Sequence, residues 1–292
     1  MSQSARNAQR TPSLLPVDPN PPVWPGAKED ELRVAPDGLP ARVVKAHNAH
    51  KAHFIRQYSH TVAAAMKNKW GSRAYIDTYA GPGICWVEDT GEFVPGSPPI
   101  ALDASPNFDH HVFVDKDSRC TDALHQRLAG SGAVILTADS NQPATIEAVR
   151  AALPRRGCLS LALLDPQGCT LHLETLRALT DDRPMDLLIN LPIHSLYRCL
   201  AAGYWHVLDD VLGPNWPKHP SGGVPGWRAA IRQHFRDELG AFGYSNFSAK
   251  EVRGEKRNGR LYDFVLASRH PLAKKLFEDV TQETTHGQLR MV

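Results

Sequence analysis

Several features that would fix a function at a glance are missing from this sequence. Across 292 residues no apolar run approaches the ~18 residues a membrane span needs. The opening stretch MSQSARNAQRTPS lacks the apolar core of a secretory signal. The five cysteines, at 85, 120, 158, 169 and 199, have no CxxC or related spacing. That excludes a recognisable zinc motif or disulfide framework and leaves free thiols in a reducing cytoplasm as the expectation. An excess of either charge is missing too, with 33 Lys and Arg against 31 Asp and Glu. A net charge of +2 gives no argument for nucleic-acid binding, although it does not exclude a local basic face. There is no internal repeat, no G-x-x-x-x-G-K-[ST] loop to cradle a triphosphate, and no G-x-S-x-G elbow beside Ser97 to activate a serine.

What is present is an ordinary globular composition, 42% hydrophobic and 22% charged, in a chain long enough for one large α/β domain with decorations. Residues 1–42 cluster Pro19, Pro21, Pro22 and Pro25 with little apolar periodicity. They are expected to form an extended or disordered leader, with Val23 and Trp24 pinned to the body. From 43 to 69 the pattern is helical, with Phe54, Ile55, Tyr58, Val62, Ala65 and Met66 at three- and four-residue steps. Strands are expected at 74–77, 111–114, 133–136, 160–164 and 186–190, separated by helices at 98–104, 118–128, 146–152 and 173–179. Such alternation predicts a mostly parallel sheet covered on both faces, with ligands beyond the carboxyl ends of its strands. Residues 203–228, with Trp205, Trp216 and Trp227 among prolines and glycines, read as an insertion that is either functional or disordered. A helix at 227–242 and a closing antiparallel hairpin, 245–252 with 261–268, turning at Arg257-Asn258-Gly259, complete a domain spanning 43–282. Residues 283–292 are a flexible tail.

The chemistry lies at the strand ends. In AYIDTYAGPGIC (74–85) a short apolar run reaches Asp77, passes Thr78, Tyr79 and Ala80, and breaks into Gly81-Pro82-Gly83. A glycine turn of this kind lets backbone approach a ligand where a side chain would block it. Asp115 ends VFVD, Asp139 follows VILTA, and Asp165 ends LALLD. Any one such Asp could be a helix N-cap, and Asp117 and Asp181 are read that way. Four acids at four successive strand ends favour a ligand. A carboxylate after the second strand can accept both hydroxyls of a ribose, and one after the third can accept from an adenine amino group. The turn is not G-x-G-x-x-G. D-x-x-A-G-x-G with a following ribose acid suits a nucleoside bearing a short zwitterionic tail, which S-adenosylmethionine is, better than the pyrophosphate of NAD.

The blocks KAHFIRQY (51–58), YIDTYAGPG (75–83), PGSPPIAL (95–102), FVDKD (113–117), LLDPQG (163–168) and LYDFVLASRHPLAKKLF (261–277) together resemble the three-Cys-motif partner proteins, a bacterial family with the class I methyltransferase fold. The likeness covers most of 45–278, and its AGPG and GSP blocks are the most specific. It implies an S-adenosylmethionine-dependent methyltransferase, or a partner protein of that fold working beside a neighbouring-gene protein that carries the three-Cys motif. More distantly, the chain is similar to bacterial enzymes that methylate adenine N6 in large-subunit ribosomal RNA. That similarity implies cofactor contacts for Ser97, Asp115 and Asp139, a tyrosine at 79 in place of their histidine, and a catalytic role for Asp165. Ala52 replaces a histidine that touches the cofactor there.

The expected site therefore comprises Asp77, Tyr79, Ala80, Gly81, Gly83, Ser97, Asp115 and Asp139 around the cofactor, with Lys51 near the mouth. Asp165 and Pro166 would serve the acceptor. The largest departure is the loop DPQG, where amino-methyltransferases carry D-P-P-[YF] and stack the aromatic on a flipped-out base. Tyr197, Trp205 and Trp216 are the aromatics that could substitute. His47, His50 and His53 share one side of a helix but lack the acid of H-E-x-x-H, and Lys51 among them repels a cation, so a polar face is expected rather than a metal site. Nucleic acid is the acceptor implied by analogy. Arg253, Lys256 and Arg257 in the late hairpin are its candidate phosphate contacts, although a solvated turn would carry the same charges.

Overall fold

A computed structural model describes residues 17–104, 107–253 and 259–281. Lys256, Arg257, the 283–292 tail and the side chains of His47 and His50 lie outside the described residues. In chain order the elements are β1 (Leu32–Val34), β2 (Pro40–Val44), α1 (His47–Met66), β3 (Ser72–Asp77), β4 (Ile84–Val87), β5 (Glu92–Pro95), α2 (Ser97–Leu102), β6 (His110–Asp115), α3 (Ser118–Arg127) and β7 (Val134–Thr137). They continue with α4 (Pro143–Ala151), β8 (Cys158–Leu164), α5 (Leu173–Thr180), β9 (Met185–Leu191), α6 (Ile193–Ala201), α7 (Trp205–Leu212), α8 (Gly223–Ala241), β10 (Asn246–Arg253), β11 (Arg260–Ser268) and α9 (Pro271–Thr281).

Seven strands form the central sheet in the order β10-β11-β9-β8-β3-β6-β7. Pairings from β9 through β8, β3 and β6 to β7 are parallel, and β11 runs antiparallel to both β9 and β10. The sheet is Rossmann-like: mostly parallel, with an antiparallel hairpin closing one edge. Its strands are apolar because both faces are covered. Ala74, Ile76, Val114, Ala162 and Ile189 pack on the side of α4 to α8, while Tyr75, Phe113, Leu163, Leu188 and Phe264 pack on the side of α1, α2, α3 and α9. The period-two alternation places Asp77 and Asp115 on the same side as Tyr75 and Phe113.

Three segments differ from the sequence expectation. The helix expected from residue 43 begins at His47, because Val43 and Val44 are taken into β2, which pairs with β4. β1, β2, β4 and β5 form a second sheet of four strands. Residues 1–16 of the segment read as an extended leader lie outside the described residues; the rest supplies β1 and part of β2, and Val23 and Trp24 are pinned as expected, by the Val23–Arg33 bridge and by the Trp24 N–H donated to the Leu32 carbonyl. The 203–228 stretch is ordered, with an irregular turn-rich segment at 213–222 between two helices. It folds as α7 and the first turn of α8, burying Trp216 and Trp227 in the core. Asp181, read as an N-cap, ends α5 instead. Asp117 does cap α3, accepting the Arg119 N–H at 3.0 Å.

Helix α9 is fixed to α1 by aromatic contacts. Phe277 is fully buried, with its ring edge-on to Phe54 at 5.2 Å and to Tyr58 at 5.7 Å. Truncating Phe277 to Ala is expected to cost ~3–5 kcal/mol, measured as the shift in a urea unfolding curve. A loss below ~1 kcal/mol would mean that α9 is not part of the cooperative core.

Candidate active site

The chain leaves β3 for a neighbour on one side, β6, and later returns to its other side with β8, so a crevice opens above their carboxyl ends. There the structure holds a cleft of about 1150 Å³ whose walls include Lys51, Tyr79, Ala80, Gly81, Gly83 and Ser97. Asp115, Asp139, Asp165 and Pro166 complete the set, so every expected site residue except Asp77 faces one cavity.

Asp77 lies beneath the floor of the cleft. It is fully buried, and its carboxylate accepts the Tyr79 N–H at 3.1 Å and the Ser97 hydroxyl at 2.5 Å. It therefore shapes the turn from below and joins it to the start of α2. The turn is held from the side as well. Ala80 N–H donates to the Val114 carbonyl at 2.9 Å, and Gly81 N–H donates to Asp115 at 2.8 Å. Glycine is required at Gly83, where φ is +87° and a Cβ would sit 3.0 Å from Leu124 Cδ2. The closeness of this turn to Gly96, whose N–H donates to the Gly83 carbonyl at 2.8 Å, leaves no room for a side chain there either.

Asp115 also accepts the Asp117 N–H at 2.9 Å. Arg42, from β2, approaches it to 3.7 Å. Asp139 is exposed and accepts the Asn141 N–H at 2.9 Å, a local turn that leaves its side chain on the cleft wall. The Tyr79 hydroxyl donates to the Thr170 carbonyl at 3.3 Å, tying the glycine turn to the loop after Asp165.

Lys51, expected near the mouth among the cofactor residues, pairs with Asp165 after β8 rather than with the glycine turn. Its ammonium donates to Asp165 Oδ2 at 2.5 Å, while Asn190 Nδ2 donates to Oδ1 at 2.8 Å. Burial opposes the lysine's charge, but Asp165, with Tyr262 and Cys85 adding to it, raises the lysine pKa. The ammonium also lies 5.8 Å from the centre of the Tyr262 ring, in range of a cation–π contact. Tyr79 and Tyr262 are the aromatics that line the cleft. Tyr197 packs instead on Trp227, Trp216 is buried, and Trp205 is exposed.

Arg42, Asn190 and Tyr262 were not singled out from sequence. Asn190 ends β9 as the acids end their strands, and that signal could have found it. Arg42 lies in a segment without periodicity, and its role depends on the β2–β4 pairing.

No family model and no curated protein sequence matches the chain. Among solved structures it is similar to protein LPL1258 from Legionella pneumophila, at 13% identity over 79% of this chain and 91% of that one, with a TM-score of 0.49. It is similar to the N-methyltransferase NodS from Bradyrhizobium japonicum, at 9% identity over 77% and 97%, TM-score 0.41. A third is the O-methyltransferase TomG from Streptomyces achromogenes, solved in complex with SAM, at 14% identity over 74% and 79%, TM-score 0.40.

Burial pushes the Asp77 carboxyl up to about 7, against the pull of Ser97 and the Tyr79 N–H, with Asp165 and Asp115 adding to the rise. Asp186 is pushed up to about 6, again chiefly by burial. A carboxyl whose folded pKa exceeds its unfolded one near 4 binds its proton preferentially in the folded state. Stability therefore falls as pH rises through the interval between the two values and stays lowered above it. The melting temperature of the ligand-free protein is expected to decline from pH 5 to pH 8. Asp77→Asn still accepts the Tyr79 N–H at its oxygen and can donate its amide N–H to the Ser97 hydroxyl in place of accepting from it. Without the charge, it is expected to raise the melting temperature at pH 8 well above any change at pH 5, by roughly 2–4 °C per kcal/mol recovered. An equal shift at the two pH values would remove Asp77 as the source.

Proposed function

We propose that this chain is an S-adenosylmethionine-dependent methyltransferase. The observation that carries this reading is the convergence of the Gly81–Gly83 turn, Asp115, Asp139 and Asp165 on one cleft. The donor set fits the cofactor's parts. The glycine turn offers close backbone approach to the methionine tail, Asp115 offers carboxylate oxygens to the ribose hydroxyls, and Asp139 stands where an adenine amino group would need an acceptor. When bound, this cofactor supplies an electrophilic methyl group on a sulfonium. The chain supplies alignment and the environment of the acceptor.

Asp165 is the acceptor-side carboxylate, and Lys51 and Asn190 fix its orientation. Pro166 keeps the following loop rigid. Tyr262 is buried beneath the Lys51 ammonium and so backs the Asp165 side of the cleft rather than replacing the stacking aromatic missing from DPQG.

Nucleic acid is the acceptor this reading favours. Leu261 and Tyr262 reach the cleft, so the ends of β10 and β11 stand at its mouth, where Arg232, Arg253 and Arg260 all converge on Glu251. With Asp263 also paired to Arg232, three cations meet two acids among the described residues, and these arginines are the phosphate contacts this reading offers.

A second reading, a methyltransferase-fold partner protein without turnover beside a protein carrying the three-Cys motif, is favoured by the DPQG loop. Its Asp165 is already engaged on both oxygens.

Calorimetric titration with S-adenosylmethionine tests the proposal. Binding in the micromolar range is expected, and Asp115→Ala is expected to weaken it at least tenfold. The absence of binding by folded protein would overturn the reading. If binding is present, methyl transfer to RNA or DNA decides between enzyme and partner. Asp165→Ala is expected to lower that transfer by 10²-fold or more, and unchanged turnover would take Asp165 out of the mechanism.

A further inference from the structure

The small sheet sends one charged side chain into the cleft. Along β2, Ala41 and Val43 pack with Trp86 and Phe93 in the core of that sheet, so the period-two alternation turns Arg42 the other way. Cys85, its partner in the β2–β4 register, shares that direction, and both line the cleft. The Arg42 stem passes the open side of the glycine turn, where a Cβ built on Gly81 would lie 4.0 Å from Arg42 Nε. There its guanidinium comes to 3.7 Å from Asp115 Oδ2, with the side chain 18% exposed.

Arg42 differs from its neighbours in what holds it. Lys45, Lys51 and Arg119 also line the cleft, and each is tied to a carboxylate. Glu88 holds the first, Asp165 the second, and both oxygens of Asp117 the third. Among the described residues no carboxylate lies within hydrogen-bond distance of Arg42. Its Nη2 donates instead to the Cys120 thiol at 3.3 Å. That thiol is fully buried, and burial pushes its pKa up to about 12. It therefore accepts as a neutral group and leaves the guanidinium charge uncancelled.

The acceptor sites of Asp115 give this charge a use. A carboxylate has about four lone-pair sites. Oδ2 accepts the Gly81 N–H and Oδ1 the Asp117 N–H, which leaves one site on each oxygen. A pair of vicinal ribose hydroxyls needs that arrangement. At 3.7 Å the guanidinium balances the charge of a residue only 8% exposed, and it is too far to occupy either site. A hydroxyl that donates to Asp115 also keeps lone pairs with which to accept from a guanidinium N–H.

We infer that Arg42 is a further residue of the cofactor site, acting on the ribose: its guanidinium supports Asp115 and donates to the hydroxyls that Asp115 binds. The inference rests on the methyltransferase reading and deepens it, because it makes the small sheet a wall of the ligand pocket. The role is confined to the ribose, so the amino-acid tail of the ligand is indifferent to it.

The test is calorimetric titration of the full chain with S-adenosylmethionine and with 5′-methylthioadenosine, which keeps the ribose and lacks the amino-acid tail. Arg42→Met keeps the stem and removes the charge. It is expected to weaken both ligands by the same factor, roughly tenfold. Arg42→Lys restores a cation without the planar fork, so it is expected to lose less, again equally for the two ligands. That variant carries the test alone if Arg42→Met does not fold, and full affinity in it would then overturn the role. With both variants folded, full affinity in Arg42→Met, or a loss in Arg42→Lys as large as in Arg42→Met, would overturn it. So would a loss confined to S-adenosylmethionine, which would place the guanidinium on the amino-acid tail. A wild type that binds neither nucleoside would overturn the cofactor reading and this role with it, whereas unaffected variants of a wild type that binds both would overturn the role alone.

Discussion

A carboxylate taken out of water must be given donors or lose its charge, and the cleft is organised around that demand. Asp77, Asp115 and Asp165 end adjacent strands on one side of the sheet, close enough that Asp165 and Asp115 both raise the pKa of Asp77. Each has a different solution. Asp77 takes an N–H and a hydroxyl and drifts toward its neutral form. Asp115 takes two backbone N–H groups and a nearby guanidinium. Asp165 takes a buried ammonium and an amide. The three devices place three distinct elements, the glycine turn, the small sheet and α1, around the same cavity.

The pairing of Lys51 with Asp165 links α1 to the end of β8 across the cleft. A bare carboxylate there would repel Asp77 and Asp115. The ammonium cancels that repulsion and, with Asn190, sets the direction in which the remaining lone pairs point. Removing either member would leave an uncompensated partly buried charge, which is more damaging than losing the pair together.

The alternating strands and helices were legible in the sequence because a sheet buried on both faces needs apolar runs of a fixed length. The acids stood out because each interrupts such a run at its end. The turn at 81–83 was legible for a related reason, since glycine on either side of a proline has few uses inside an apolar protein. What could not be read was anything set by partners distant in sequence. β2 is a strand because β4 borders it. Lys51 meets Asp165 because α1 packs beside strands that come much later in the chain. Trp216 and Trp227 are core residues because α7 and α8 fold back over α5 and α6, whereas the prolines and glycines around them resemble those of a loop.

The small sheet has a further consequence for how the chain folds. Its central pairing joins β2 to β4, and all of α1 and β3 lie between them in the chain. β4 begins at Ile84, immediately after Gly83, so the ribbon that carries the glycine turn is clamped at one end by β3 and at the other by β4. Closing that loop has an entropic cost, and the central pairing of β3 with β8 closes a longer one still. Anything that frees β2 from β4 releases one end of the ribbon, so the glycine turn holds its shape only while a sheet outside the central one is formed.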